Sequence, residues 1–214
     1  MQTWLVVAAE AREFSGILKR AGRAKGLDWP GAAFAREIVW KGDRWLLVAN
    51  GPGARLATQA LGARREVDGI MSIGFCGALD PALRVGDIVS SGGILTLDRV
   101  AVTASEKRSL REQTGASAVE MESAAVEAKA REWGVQFRSV KVVSDTAADD
   151  LPLDFNQYRS REGRFSRGRI ALAAVARPLQ AIPGLLRLDR NCRTAAESLG
   201  EFLANYPAGA THGS

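Results

Sequence analysis

The feature that most constrains the fold is the alternation of short apolar runs with amphipathic segments. Residues 5–9, 68–73 and 137–143 have the length and apolar character of buried strands, and helical spacing follows between such runs. Strands that alternate with helices along a chain form a mostly parallel sheet that is covered on both faces. We therefore expect an α/β fold, a single three-layer domain over residues 1–214 with a mixed, mostly parallel central sheet flanked by helices.

Turn and capping residues predict the other boundaries. Gly42-Asp43 is a hairpin signal between two strand-like runs, and Ser105 has the character of a helix N-cap. Pro178 and Pro183 are expected to separate the last two helices, because proline interrupts a helix. The predicted strands lie at 34–40, 45–49 and 87–97. The predicted helices lie at 10–20, 54–65, 161–176 and 191–206, with a short helix that begins at Ser105 and another that ends at about Trp133.

Cysteine and histidine usage restricts the chemistry. Cys76 and Cys192 lie far apart, and His212 is the only histidine. This argues against Ser-His-Asp or Cys-His catalysis and against a histidine-based zinc site, so acid–base work must rest on Asp, Glu or Lys. No metal is expected. The chain also has no run of 18 apolar residues and begins with a strand-like segment, which predicts a cytoplasmic protein.

Positive charge is concentrated near the C-terminus. Residues 159–193 hold nine Arg against Glu162 and Asp189, a local balance of +7, whereas the whole chain carries +5. Solvated faces of basic C-terminal helices, placed at about 159–206, would give this pattern. A surface for anionic lipid at the inner face of the membrane, or for another polyanion, would give it as well. Aromatic stacking residues are sparse there, which argues against a nucleic-acid binder.

An acidic motif follows a short strand in the second half of the chain. Residues 118–125 read AVEMESAA, which resembles the Val-Glu-Met-Glu-x-x-Ala signature of the nucleoside phosphorylase and nucleosidase superfamily. The order of the weaker motifs is similar to that family too. Glu10 follows the first strand, a GPG turn occupies 51–53, a glycine-rich segment runs through 74–89, and Ser144-Asp145 ends a late strand.

This resemblance implies cleavage of the N-glycosidic bond of an adenine nucleoside. Asp145 would donate a proton to adenine N7 as the base departs, and Glu10 would activate the attacking water. Glu122 would bind the ribose, because one carboxylate accepts hydrogen bonds from both hydroxyls of a vicinal diol. The implied substrate-binding set is Glu122, Met121, Glu120, Gly51, Gly53, Gly74, Phe75, Cys76, Gly77, Thr103 and Ser144.

The sequence departs from the family pattern at two places. Phe75 and Cys76 occupy positions where phosphorylases have small or hydroxyl residues, and Arg55 and Arg64 are the remaining phosphate-binding candidates. Water is therefore favoured over phosphate as the nucleophile, phosphate stays open as a co-substrate, and no other cofactor is implied. The segment 89–120 is short, which leaves Val102, Thr103 and Ala104 for the base pocket and a more open 5′ side.

Several segments resemble one bacterial branch, the hopanoid-associated phosphorylases. These are residues 97–100 (LDRV), 105–108 (SEKR), 165–172 (FSRGRIAL) and 183–187 (PGLLR). The branch implies adenosylhopane as substrate, a ribosyl or phosphoribosyl hopane as product and a homo-oligomer. A methylthioadenosine/adenosylhomocysteine nucleosidase and a purine nucleoside phosphorylase of nucleoside salvage remain the alternatives. A non-catalytic nucleoside-binding protein is disfavoured, because both Glu122 and Asp145 are present.

Overall fold

The computed structural model describes residues 1–90 and 93–206, so His212 lies outside the described residues. The strands are β1 (Thr3–Ala8), β2 (Lys25–Gly26), β3 (Phe34–Trp40), β4 (Asp43–Ala49), β5 (Gly69–Ala78), β6 (Ile88–Ser90), β7 (Ile94–Thr96), β8 (Ala118–Glu120) and β9 (Gln136–Asp145). The α-helices are α1 (Ser15–Arg20), α2 (Ala54–Leu61), α3 (Ala104–Thr114), α4 (Ser123–Trp133), α5 (Arg167–Ala176) and α6 (Pro178–Asn205), and 3-10 helices span Ala11–Phe14 and Phe155–Tyr158.

The strands form one mixed sheet with a parallel centre. Its order is β2-β3-β4-β1-β5-β8-β7, and β9 pairs with both β5 and β6. The four strands β4, β1, β5 and β9 run parallel, which confirms the mostly parallel sheet. The predicted hairpin is also confirmed, with a tighter turn at Lys41 and Gly42, whose φ values of 53° and 86° suit a two-residue connection.

Helices cover both faces of the sheet. Neighbouring residues of β1 point to opposite sides: Val6 packs in a cluster that includes Leu199 of α6, and Leu5 packs in a cluster that includes Trp133 of α4. Helices α1 and α6 therefore form one outer layer, and α2 and α4 form the other. This alternation confirms the three-layer arrangement, because a strand with both faces buried has no polar side.

Two strand boundaries differ from the sequence prediction. Strand β5 continues to Ala78 instead of ending at Ile73, because Gly74 to Gly77 remain paired with β9. The predicted single strand over 87–97 is wrong: β6 pairs with β9 and β7 pairs with β8, on different parts of the sheet. Long-range pairing decides such boundaries, and a local pattern does not contain it.

Three helix boundaries also differ. Helix α2 stops at Leu61, before Gly62 with its φ of 69°. Thr103, and not Ser105, caps α3 through its hydroxyl, which accepts from Glu106 N at 3.1 Å. Helix α6 continues through Pro183, where a break was expected, since packing of its apolar face against the sheet outweighs one lost backbone hydrogen bond. No helix in the described ranges is long and apolar enough to cross a membrane.

Candidate active site

The candidate site lies where β5 and β9 end side by side. Their register shifts between Cys76 and Gly77, so that Gly77 pairs with Asp145. A bulge of this kind redirects the side chains at the end of a strand. Any side chain at position 77 would meet the acid, because a Cβ there would lie 2.9 Å from Asp145 Oδ2. The small residue therefore lets the Asp145 carboxylate lie against the backbone of β5.

Glu122 is brought to the same region by the turn between β8 and α4. It is buried, and its Oε1 accepts a hydrogen bond from Gly53 N at 2.7 Å. Met121 is buried beside it, with its Cε 3.8 Å from the position that a Cβ on Gly53 would occupy. Gly51 N donates to Ala9 O, which joins the glycine turn to the end of β1. The structure thus assembles Glu122, Met121 and the glycine turn as one group.

A buried lysine that the sequence analysis missed holds two of the acidic residues. Lys141 of β9 is 1% exposed, and its Nζ lies 3.0 Å from Glu120 Oε2 and 3.9 Å from Glu122 Oε2. Burial works against the charged form, but the two carboxylates outweigh it and raise the pKa of Lys141. A single Lys inside the β-branched run 140–143 was the available signal, because lysine is almost never fully buried unless it is paired.

Glu120 and Glu122 lie two residues apart but have different environments. Glu120 accepts hydrogen bonds from Thr96 Oγ1 at 2.5 Å and from Glu122 N at 3.0 Å. Burial alone would raise the pKa of Glu120, but Lys141 and these donors lower it. Burial raises the pKa of Glu122, and Lys141 offsets this only in part. Glu120 is therefore a fixed anion that shapes the turn, and Glu122 is the carboxyl group that has fewer protein donors.

Two glutamates follow β1, and Glu13 rather than Glu10 is the buried one. Glu10 lies at the rim, with its side chain 26% exposed and paired with Arg12 at 2.8 Å. Glu13 is buried, and it accepts from Glu10 N and Phe75 N, both at 2.7 Å. Burial raises the pKa of Glu13, and these two donors reduce the shift. The helical turn Ala11–Phe14 points residue 13 inward, which the sequence pattern alone did not resolve.

Gly74 makes room for this carboxylate. Its φ is 134°, and a Cβ there would lie 2.4 Å from Glu13 Oε1. Both the backbone conformation and the contact exclude a larger residue. Phe75 contributes its backbone N–H, and its ring stacks under Arg12 at 5.6 Å. Cys76 is buried inside the strand, where desolvation raises the pKa of its thiol, so it acts as a packing residue.

The second missed lysine contacts Asp145 directly. Lys107 of α3 is fully buried, and its Nζ lies 2.5 Å from Asp145 Oδ2. The ammonium also donates to Thr146 O at 2.8 Å and Asp149 O at 3.0 Å, so its three protons all have acceptors. Ser144 donates to Asp145 Oδ1 at 2.8 Å. Both oxygens of Asp145 are therefore oriented by hydrogen-bond donors.

Comparisons with known proteins identify the fold that holds these residues. Residues 89–177 match the family model described as "Phosphorylase superfamily". A Helicobacter pylori MTAN variant with 5′-methylthioadenosine in its active site superimposes with a TM-score of 0.69 at 15% identity, over 96% of this chain and 97% of that chain. The chain has the phosphorylase-superfamily fold. The resemblance drawn from the sequence is thereby confirmed at the level of the superfamily.

Other structures with this superfamily fold give the same result. The 5′-methylthioadenosine/S-adenosylhomocysteine nucleosidase of Neisseria meningitidis has a TM-score of 0.68 at 18% identity, over 95% of this chain and 97% of that one. Futalosine hydrolase of H. pylori has a TM-score of 0.67 at 15% identity, over 94% and 95%. No curated protein sequence matches the chain.

The remaining candidates have less direct positions in the superfamily fold. The Thr103 hydroxyl caps α3, and the neighbouring amides of Val102 and Ala104 donate to Glu106 and Asp150, both carboxylates of the protein. These two amides and the Thr103 hydroxyl oxygen are thus engaged by the chain itself.

The two phosphate candidates lie at opposite ends of α2. Arg55 lies in the first turn, next to the glycine turn, whereas Arg64 follows the far end of the helix. A cation that the sequence did not single out also borders the glycine turn: Arg159 Nη2 lies 2.9 Å from the position of a Cβ on Gly53. Arg64 is therefore remote from the turn, whereas Arg55, Arg159 and Arg164, whose Cγ lies 3.6 Å from the position of a Cβ on Gly51, border it.

Replacing Glu122 with glutamine is expected to stabilise the protein at high pH. A carboxyl group whose pKa is raised on folding contributes stability below its unfolded pKa of about 4.3 and loses it as the pH rises through the folded pKa. The gain in the variant should amount to about 1.4 kcal/mol for each unit by which the pKa is raised. The gain is measured from melting temperatures at about pH 4, near the unfolded pKa, and at about pH 8, well above it.

The matched control for this experiment is Glu127→Gln, an exposed position on α4, the helix that Glu122 precedes. We expect the stabilisation at Glu122 to be absent near the unfolded pKa and to grow with pH, while the Glu127 variant follows the wild type at both. Equal melting temperatures of the Glu122 variant and the wild type at the higher pH would contradict the buried environment described for this carboxyl group.

Proposed function

We propose that the protein is an enzyme that cleaves the N-glycosidic bond of an adenine nucleoside and releases adenine. The observation that carries the proposal is the placement of three buried carboxyl groups along the second half of β5 and its partner β9. Glu13 lies against Gly74 and Phe75, Glu122 lies beside Lys141, which pairs with Gly74, and Asp145 lies against Gly77. Two of them have raised pKa values, which is common where acid–base chemistry takes place. The carboxylates have three separate roles in the proposed reaction.

Glu122 binds the ribose. Its Oε1 accepts from Gly53 N, and the remaining lone pairs of the carboxylate are suited to the 2′- and 3′-hydroxyls. Met121 packs beneath the sugar. Because burial disfavours the ionised form of Glu122, two hydroxyl donors replace the solvation that the carboxylate lost on folding. Binding of a diol therefore stabilises the charged state.

Asp145 is the group that transfers a proton to adenine N7. Lys107 and Ser144 orient its two oxygens, and Lys107 holds the protons from which Asp145 is resupplied. Protonation of N7 makes adenine a neutral leaving group as the ribose becomes an oxocarbenium-like cation. The proton that Asp145 gives to N7 is replaced from the Lys107 ammonium, and the proton released by the attacking water returns to Lys107 through solvent, which completes the cycle.

Glu13, in place of Glu10, is the base that activates water. A raised pKa makes a carboxylate a stronger base, and Glu13 lies against Gly74 and Phe75 in the second half of β5. We favour water over phosphate because Glu13 supplies a base that phosphorolysis does not need. Arg55 and Arg159 keep phosphate as the alternative co-substrate.

Glutamine at position 13 is expected to lower kcat by about 10²- to 10⁴-fold, the range of general-base contributions. Glutamine at position 10 is the matched control, because Glu10 is a partly exposed residue three positions away. The Glu10→Gln variant should change kcat by less than about threefold, since substitutions of exposed residues have small effects. In the wild type, activity should also fall as the pH drops through the raised pKa of Glu13. A larger loss of kcat in the Glu10→Gln variant than in the Glu13→Gln variant would assign the activation of water to Glu10.

For the nucleoside itself we propose adenosylhopane, converted to ribosylhopane by water or to phosphoribosylhopane by phosphate in hopanoid biosynthesis. The resemblance of residues 165–172 and 183–187 to hopanoid-associated phosphorylases supports it, as does the short segment 89–120. The second candidate is a methylthioadenosine/adenosylhomocysteine nucleosidase, favoured by the fold of the structures that superimpose on this chain. A cytoplasmic homo-oligomer is proposed on the same family resemblance.

Adenine release distinguishes these substrates. The protein is mixed with adenosylhopane in detergent or with methylthioadenosine, with and without phosphate, and adenine is measured by mass spectrometry. Release from adenosylhopane supports the lipid substrate, and its dependence on phosphate separates hydrolysis from phosphorolysis. Release from methylthioadenosine only would discard adenosylhopane and keep the roles of Glu122 and Asp145. Release from neither would overturn the proposed function.

A further inference from the structure

Exposed apolar side chains are concentrated on two neighbouring helices. Seven large apolar residues are exposed in the described part of the chain, and five of them lie within residues 172–186. They are Leu172 (71% exposed), Val175 (71%), Leu179 (92%), Ile182 (41%) and Leu186 (62%). We call these five residues the apolar ridge. Burying such side chains is favourable, so a cluster of this kind indicates a contact surface.

The ridge occupies one face of each helix. Leu172 and Val175 are three residues apart on α5, and Leu179, Ile182 and Leu186 follow at intervals of three and four on α6. The other faces of these helices pack inward, with Ala174 and Ala181 buried. The ridge is therefore the outer side of an amphipathic pair of helices, whose inner side is already buried against the rest of the protein.

Arginines without acidic partners surround the ridge. Arg167, Arg177 and Arg190 are exposed, and within residues 1–90 and 93–206 none of them forms an ion pair. This separates them from Arg187 and Arg193, which pair with Asp149 at 3.5 Å and with Asp189 at 2.7 Å. Exposed apolar side chains bordered by unpaired arginines are the combination that binds an anionic lipid surface.

We infer that the apolar ridge and its arginines form a docking surface for an anionic membrane. A second copy of the chain fits less well, because a symmetric contact through this face would place the unpaired arginines of both copies close together, and like charges at an interface are unfavourable. A nucleic acid would use the arginines but would leave the apolar side chains without partners. A lipid bilayer accommodates both kinds of side chain.

The docking helices also contact the loop that follows the proposed acid. Gly184 of α6 packs against Pro152, and Arg187 pairs with Asp149. Asp149 O in turn accepts from Lys107, the lysine bound to Asp145. A membrane bound by α5 and α6 would therefore lie beside the candidate active site. The docking surface itself does not depend on the proposed reaction, because it is tested by binding and not by turnover.

The test is co-sedimentation of the full chain with lipid vesicles. Vesicles of equal parts phosphatidylglycerol and phosphatidylcholine are compared with vesicles of phosphatidylcholine alone, at about 0.1 M and about 1 M salt, where the screening length falls from about 10 Å to about 3 Å. We expect binding to the anionic vesicles at the lower salt concentration and release at the higher one. Absence of binding to anionic vesicles at low salt, or equal binding to both lipids at both salt concentrations, would overturn the inference.

Two double variants separate the apolar and charged contributions. The double variant Arg177→Gln with Arg190→Gln should weaken binding about 30-fold at the lower salt concentration. Each arginine near an anionic surface strengthens binding about fivefold. Leu179→Ser with Leu186→Ser should weaken it at least tenfold, because two leucines leave the membrane. The matched controls are Arg23→Gln and Val39→Ser, an exposed arginine and an exposed apolar residue elsewhere, and both should bind as the wild type does.

Light scattering after size-exclusion chromatography tests whether the ridge instead binds a second copy of the chain. If the serine variants dissociate an oligomer and leave vesicle binding unchanged, the ridge is an interface between copies and the inference is wrong. If they lose vesicle binding at an unchanged oligomeric state, the membrane assignment holds. Adenine release from a water-soluble nucleoside should be unchanged in every variant, so a failure of the docking surface and a failure of the proposed reaction give different results.

Discussion

Replacing Asp145 with asparagine is expected to lower kcat by about 10²- to 10⁴-fold, the range that a positioned acid contributes. Asparagine retains an oxygen that can accept from Lys107, but it cannot pass a proton to adenine N7. The Michaelis constant should change little, because Glu122 and Met121, the residues proposed to bind the sugar, are unchanged. Steady-state release of adenine from whichever of the two proposed substrates the protein cleaves measures both constants.

The variant must be separated from a folding defect, because Lys107 is fully buried against Asp145. Removing one partner of a buried ion pair is more destabilising than removing both. Lys107→Met combined with Asp145→Asn should therefore be more stable than Lys107→Met alone, and it should remain inactive. Asp68→Asn is the matched control, since Asp68 lies just before β5, at the opposite end of that strand from Gly77.

Near-normal kcat in a folded Asp145→Asn protein would show that another group protonates the base. Recovery of activity in the double variant would show that Lys107 and Asp145 serve stability alone. A loss of activity in Asp68→Asn equal to that in Asp145→Asn would point to a general disturbance of the sheet. Each of these results contradicts the role proposed for Asp145, and each is read from the same set of proteins.

Replacing Lys141 with methionine is expected to destabilise the protein by about 3–5 kcal/mol, the cost of leaving a buried charge without its partner. Lys141 is the cation closest to both Glu120 and Glu122, and all three side chains are buried. Without the ammonium, the buried Glu120 and Glu122 carboxylates face each other with no compensating charge. Urea unfolding, with the slope held common to the wild type, measures the loss.

The destabilisation should shrink as the pH falls, because protonation neutralises the carboxylates that Lys141 otherwise balances. Adding Glu120→Gln to the methionine variant should recover part of the stability at neutral pH for the same reason. Lys129→Met is the matched control: that lysine pairs with Glu132 on the surface of α4 and should change stability by less than about 0.5 kcal/mol. A loss at Lys141 no larger than at Lys129 would mean that the buried charge cluster is not formed.

The two glutamates near the first strand illustrate what a sequence pattern resolves and what it does not. The sequence placed an acidic residue after β1, and the structure has two candidates there, Glu10 and Glu13. Only the turn Ala11–Phe14 and the approach of Gly74 and Phe75 decide which carboxylate points inward. Phe75 is 62 residues away from Glu13, so no local pattern could have contained that contact.

Local patterns by themselves determined the α/β class, the strand hairpin 34–49, the motif around Glu122 and the Ser-Asp pair at the end of β9. These features depend on the alternation of apolar residues and on turn chemistry, which act over a few neighbouring residues. Tertiary structure alone decided the partners of the buried charges, Lys141 with Glu120 and Lys107 with Asp145. Those pairs join residues 21 and 38 positions apart in the chain, and a buried charge is stable only where folding brings its partner within a few ångströms.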